Sequence, residues 1–194
     1  MAKFFVALSL ILGFLGTLVF GVTRDPYVLP SALVGAPAPE FALEVMGPGR
    51  VEGQDSVPAD TFHLSSLRGR VVVSNFWGSW CLACRSEHAA LSEAADRYRS
   101  RGVQFLGVLF QDTPQNARRW IAEMGGQAYP TLLDPRTRTA IEFGVYGAPE
   151  TYFITPDGTI AYKQIGPVTP ELLDQRIEEI LDSFPAGDKT ITIK

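Results

Sequence analysis

The chain has 194 residues, a formal net charge of −4 and 46% hydrophobic residues. That suffices for one ordinary domain with its own core plus appendages, so covalent staples are not needed to hold it together. The charge is mild and there is no Lys/Arg-rich run or basic helix, which argues against a nucleic-acid partner. The two cysteines sit in a single short motif, so they read as chemistry rather than architecture.

After Lys3 the chain runs from Phe4 to Val22 with only Ser9 and Thr17 as weakly polar breaks. This approaches the ~20 apolar residues that span a bilayer as a helix and exceeds the roughly 7–15 of a secretory h-region. Val19 and Phe20 before Gly21 make a poor small-residue cleavage site. The run predicts an uncleaved signal anchor over residues 1–23, with a cleaved signal as the competing reading. Lys3 marks an inside amino end, and the rest of the chain is expected outside the cytoplasm. Pro26, Pro30 and Pro37 with little periodicity predict a stalk, with a linker at 24–35 and a folded domain at 36–184.

Weak alternation predicts a first short strand at 40–45 and Thr61–Leu64 a second, separated by a Pro/Gly-rich loop at 47–58 to which no role is assigned. His63 is expected half-exposed on its strand. Val71–Trp77 is a near-continuous apolar, largely β-branched run, as expected for a strand covered on both faces. A helix is predicted from Arg85 to Arg101, with Leu91, Ala94, Ala95 and Tyr98 at helical spacing and Gly102 as its stop. Val103–Phe110 predicts another buried strand. Thr113-Pro114 caps a helix carrying Ala117, Trp120, Ile121 and Met124, which Gly125-Gly126 ends. A short strand at 129–133 and a short helix at 137–143 follow. Strands at 151–154 and 159–164 form a hairpin around Asp157-Gly158. Thr169-Pro170 starts a last amphipathic helix, and residues 185–194 are expected to be a loose tail. Strands alternating with helices, closed by a hairpin and a helix, predict an α/β fold with a central mixed sheet flanked by helices.

Trp80-Cys81-Leu82-Ala83-Cys84 sits where the 71–77 strand gives way to a helix. A CxxC pair at a β-to-α junction is a redox signature. A structural zinc site needs four ligands, and only His63 and His88 are available besides the cysteines. Haem attachment needs His after the second cysteine, where Arg85 stands. At a helix start, backbone N–H groups and the helix dipole favour a thiolate, which makes Cys81 the attacking sulfur. Cys84, one turn deeper, is expected to be more buried and to resolve the mixed disulfide. Glu87 lies one turn beyond Cys84. It is either a dipole-favoured first-turn carboxylate or, if buried, a proton acceptor of raised pKa. Arg85 and His88 are expected to be solvated, Trp77 buried, and Trp80 to cover the cysteines and shape a docking surface. Ala148-Pro149, just before a strand, is an edge or turn in the bland reading. In the sharper one it is a cis peptide whose Ala148 backbone pairs with an extended partner.

Three strings carry a resemblance: Asn75-Phe76-Trp77-Gly78-Ser79-Trp80-Cys81, Cys84-Arg85-Ser86-Glu87-His88, and Gly144-Val145-Tyr146-Gly147-Ala148-Pro149-Glu150-Thr151. On these, residues 36–184 look like the thioredoxin-like fold and more narrowly resemble the DsbE/CcmG thiol–disulfide interchange proteins of cytochrome c maturation. The resemblance implies a protein tethered to the inner membrane on its periplasmic side, which reduces the disulfide in the haem-binding motif of apocytochrome c or of its haem-ligation machinery. Electrons would come from a transmembrane thiol–disulfide carrier. The redox disulfide Cys81–Cys84 is the only active group implied, with no cofactor and no metal. Pro149 matches the family's cis-proline, and Glu87 and Glu150 its acidic site residues; Trp80, Ala148, Pro149 and Glu150 would meet the client. Two departures stand out. Leu82-Ala83 lacks the proline the family commonly has first, and Asn75 stands where ordinary thioredoxins have Asp. A general extracytoplasmic thiol reductase and a non-catalytic apocytochrome-binding module are the alternatives. A peroxiredoxin would need Thr where Gly78 stands.

Overall fold

A computed structural model describes residues 2–22, 33–46 and 61–184. The stalk, the 47–58 loop and the 185–194 tail predicted from sequence lie wholly or largely outside these residues. The chain divides into two units, residues 1–30 and 31–194.

In the first unit, α1 (Ala2–Val22) is a 21-residue helix whose described side chains are exposed. Its two hydroxyls bond back into the helix, Ser9 Oγ to the Phe5 carbonyl at 2.9 Å and Thr17 Oγ1 to that of Phe14 at 2.7 Å. Among the described residues, no helix is long and apolar enough to cross a membrane.

In the second unit the strands are β1 (Ala42–Val45), β2 (Thr61–His63), β3 (Val71–Trp77), β4 (Val103–Leu109), β5 (Thr131–Leu133), β6 (Glu150–Ile154) and β7 (Ile160–Ile165). They form one mixed sheet in the order β2-β1-β5-β4-β3-β6-β7. β3, β4 and β5 are parallel, and β1, β2, β6 and β7 pair antiparallel at the two flanks. The helices are α2 (Leu82–Tyr98), α3 (Pro114–Glu123), α4 (Arg138–Glu142) and α5 (Pro170–Ser183). The steps β3-α2-β4 and β4-α3-β5 go the same way along the sheet, so right-handed crossovers put α2 and α3 on the same face.

β3 is buried at every position, and its side chains alternate between the two faces. Val71 and Val73 pack with Leu91 of α2 and Leu173 and Ile177 of α5. Val72 and Phe76 point the other way, into a core with Phe62, Phe143 and Tyr152. Asn75 shares the parity of Val71 and Val73, so this polar side chain is delivered to the α2 face.

The helix predicted at 85–101 begins three residues earlier. Cys81 is its N-cap, and residues 99–101 continue it only as a 3-10 turn ending at Gly102 in the left-handed region, φ 77°. The predicted caps of α3 and α5 are present: Thr113 and Thr169 accept from the backbone N–H of Asn116 and Leu172, with Pro114 and Pro170 opening each helix. The β6–β7 hairpin turns through Gly158 at φ 86°.

Candidate active site

Cys81 and Cys84 form a disulfide across the first turn of α2. The N–H of Cys84 donates to Cys81 Sγ at 3.0 Å, so the sulfur occupies the place of a capping oxygen. Both cysteines are buried and cluster with Met46, Trp77, Leu109 and Trp120, and Ala148 packs against that cluster. The Ala148–Pro149 peptide is cis, and the Pro149 carbonyl accepts from Gly166 N–H at 2.9 Å.

Glu87 is 1% exposed. One carboxylate oxygen accepts from Asn75 Nδ2 and the other from the Val168 backbone N–H, both at 2.8 Å. Asn75 Nδ2 also donates to Thr151 Oγ1 at 2.9 Å. Burial pushes the Glu87 pKa up to about 7; the bonds from Val168 and Asn75 oppose the shift without cancelling it. Cys84, Asn75, Glu87 and His88 line one narrow crevice. A carboxyl group that titrates near neutral pH and lines the same crevice as Cys84 can take up and return a proton near neutral pH.

Residues 34–163 match the AhpC/TSA family. The chain is 34% identical to the thiol:disulfide interchange protein DsbE of Allochromatium vinosum over 94% of each chain. It is 34% identical to the thiol:disulfide interchange protein HelX of Rhodobacter capsulatus, over 91% of this chain and 94% of that one. The chain belongs to the DsbE-type thiol:disulfide interchange family. A DsbE-assigned crystal structure from Chlorobium tepidum superposes with a TM-score of 0.65 at 27% identity, covering 76% of this chain and 97% of that one. The fold is thioredoxin-like, and the CxxC pair makes this DsbE-type protein a thiol–disulfide oxidoreductase.

The surroundings of this DsbE-type site differ from the sequence-based expectation at His88 and Glu150. His88 is not solvated: it is buried, its Nε2 lies 2.6 Å from the Gly126 carbonyl, and its ring meets Trp120 edge-on. Burial holds it below the usual imidazole range, against the pull of the Gly126 carbonyl. Its place on the inner side of α2, one residue after Glu87, is what turns it inward. Arg85 is half-exposed and reaches towards α3, contacting Met124 Sδ at 3.4 Å and lying over Trp120. Trp80 is 53% exposed, its ring leans on Phe110 and its Nε1 donates to the Gln111 carbonyl at 3.2 Å. Gln111 supplies that carbonyl from a left-handed conformation, φ 49°. A Cβ at Gly78 would lie 2.6 Å from Trp80 Nε1 and 3.1 Å from the Phe110 carbonyl, so threonine has no room there.

Glu150 is not brought to Glu87. Phe76 and Glu150 are partners across β3 and β6, and Thr151, not Glu150, faces Asn75. Glu150 turns to the opposite face, where its carboxylate meets Lys163 Nζ at 2.7 Å, the Tyr146 N–H at 2.9 Å and the Tyr152 hydroxyl at 3.2 Å. Sequence reasoning also missed Asp112. It accepts from the Ser79 N–H at 2.6 Å and from Thr113 N–H and Asn116 Nδ2, tying the approach to Cys81 to the start of α3. The Asp112-Thr113-Pro114 spelling of a helix start is the signal that could have found it.

Proposed function

We propose that this protein is a membrane-anchored, periplasm-facing reductant of the disulfide in the haem-binding Cys-x-x-Cys-His motif of apocytochrome c. The observation that carries the proposal is the packing of Ala148 against the cluster that holds both cysteines. It sets the backbone beside Pro149 next to the reactive sulfurs, where an extended client segment can pair with it. Among the described residues, no backbone hydrogen bond within the chain uses Ala148 N or O. In the reduced protein the Cys81 thiolate attacks one client sulfur, and the client's disulfide opens into a mixed disulfide. The Cys84 thiol passes its proton to Glu87 and attacks Cys81 Sγ. The client leaves two electrons richer, its two thiolates becoming a dithiol by taking one proton back from Glu87 and one from solvent, and the Cys81–Cys84 disulfide remains. A transmembrane dithiol carrier then reduces that disulfide, and no further cofactor takes part.

The anchor reading is supported by the Phe4–Val22 sequence, in which only Ser9 and Thr17 interrupt an apolar run. The back-bonded hydroxyls of Ser9 and Thr17 leave those groups satisfied within the helix. Residues 24–35 then serve as linker and 185–194 as tail.

The test uses pre-reduced protein and an oxidised Cys-x-x-Cys-His peptide. Fast, saturable reduction is expected, and Cys84→Ser is expected to trap the peptide on Cys81. In the reduced parent, iodoacetamide is expected to label Cys81 before Cys84. Trapping through Cys84, or a peptide reduced no better than an unrelated disulfide such as insulin's, overturns the assignment; the second outcome points to a general reductase.

A further inference from the structure

On the sheet face opposite Glu87, Lys163 Nζ lies 2.7 Å from a Glu150 carboxylate oxygen, with side chains only 4% and 1% exposed. Two buried charges are tolerated when each is paired and further hydrogen-bonded, and here both conditions are met. Lys163 Nζ also donates to the Gly144 carbonyl at 2.9 Å and lies over the rings of Tyr146 and Tyr152, 5.3 and 5.1 Å from their centroids. Glu150 in turn accepts the Tyr146 N–H at 2.9 Å and the Tyr152 hydroxyl at 3.2 Å.

These bonds converge on the segment that leads into Pro149. Its start is held at Gly144 by the lysine and at Tyr146 by the carboxylate, and its end at the Pro149 carbonyl by Gly166 N–H. Gly147 and Ala148 remain as the untied tip, and Ala148 is the residue packed against the cysteine cluster. Both charged residues are fixed by the sheet itself. Lys163 pairs with Tyr152 across β6 and β7, and Glu150 pairs with Phe76 near the end of β3, the strand that leads to Cys81. The ion pair thus refers the loop to the same strand that sets the position of the disulfide.

We propose that Lys163, locked by Glu150, is a positioning residue for client binding: it presents the Gly147–Ala148 backbone at a fixed place beside the Cys81–Cys84 pair. Lys163 does not touch the client. It acts by holding the loop in the conformation the client pairs with, so that the ordering does not fall on the binding step. Tyr146, 88% exposed, has one ring face over the Lys163 ammonium, so the same clamp also fixes this ring. This inference rests on the reading that a peptide docks at Ala148.

The test is single-turnover reduction of the oxidised Cys-x-x-Cys-His peptide by pre-reduced protein, in which one Cys81–Cys84 dithiol becomes a disulfide as one peptide disulfide becomes a dithiol. In Lys163→Met, which keeps the stem and drops the charge, the half-saturating peptide concentration is expected to rise about tenfold while the limiting rate changes little. That variant also leaves a buried carboxylate without its cation and is expected to melt at lower temperature. The double variant Glu150→Gln/Lys163→Met removes the orphaned charge and keeps an acceptor for the Tyr146 N–H. Its melting temperature is expected to recover, while the half-saturating concentration stays raised because the Gly144 carbonyl still lacks the lysine. Recovery of both together would make the pair a structural element only and overturn the proposal. So would a Lys163→Met protein with the parent's half-saturating concentration. A parent with no saturable reduction of the peptide overturns the docking reading itself, and this inference with it.

Discussion

Glu87 carries the largest electrostatic burden at the site, because its carboxylate is buried yet only 2.8 Å from each of two N–H donors. The folded pKa of about 7 lies above the ordinary value of 4.5, so between these values the folded chain binds more protons than the unfolded one. Stability is therefore full below about pH 4.5 and is lost as pH rises through 7. Over that span of roughly 2.5 pH units the loss amounts to about 3 kcal/mol. In Glu87→Gln the titration is gone, so urea unfolding of the oxidised protein is expected to show a flat profile between pH 5 and 8 where the parent declines. The variant starts lower at pH 5, since a Gln amide accepts from only one of Asn75 and Val168 and opposes the other, at ~1–3 kcal/mol. A flat profile in the parent would refute the burial effect. The proton-acceptor role predicts, in addition, slower resolution of mixed disulfides and loss of their pH dependence in this variant. Cys81, Cys84 and Glu87 were legible in the sequence because they lie within two turns at the start of one helix. Val168 and Thr151, which orient Glu87 and Asn75, were not. They come from 81 and 76 residues away, and a backbone N–H leaves no mark on its residue type. Lys163 was passed over because a single lysine in a hairpin strand reads as solvated.

At the scale of elements, the alternation that turns Asn75 towards α2 also turns Glu150 away from it. The sequence resemblance grouped both acids at the site; the pleat separates them. Period and caps made α2, α3, α5 and the β6–β7 hairpin readable, since each is specified by residues close in the chain. The order of the strands was not readable, because pairing β1 with β5 joins segments nearly ninety residues apart. Asp112 is the element-level connector, holding the Ser79 N–H before α2 and the Thr113 N–H at the start of α3. Burial raises its pKa, but the hydrogen bonds from Ser79, Thr113 and Asn116 outweigh that and hold it below 3.8. Asp112→Ala is expected to cost about 1–2 kcal/mol, as for a lost cap. The sign is opposite to that of Glu87: the contribution is present above pH 3.8 and is lost as pH falls through the depressed value. Denaturation midpoints of parent and variant should therefore differ at pH 6 and converge in strong acid. A gap that persists at pH 2 would show that the carboxylate charge is not what the loop uses.

At the scale of the whole molecule, the chain carries an amino-terminal helix as a unit separate from its redox domain. The described side chains of α1 are exposed, with Phe4, Leu10 and Phe14 each at least 65% accessible. Contiguous apolar surface of this kind is not stable in water and marks contact with a membrane or another protein. The only described charge on α1 is Lys3, at its amino end. The chain is therefore expected to stay with membranes after carbonate extraction, and mass spectrometry of the extracted protein is expected to find residues 1–22 still attached. A protease added outside spheroplasts should digest the redox domain and spare the amino-terminal helix. Release by carbonate of the intact chain would show that α1 lies against a protein or a membrane surface instead of spanning. A soluble form that begins near Val22 would show that the segment is a cleaved signal, and would remove the anchor while leaving the Cys81–Cys84 chemistry as it stands.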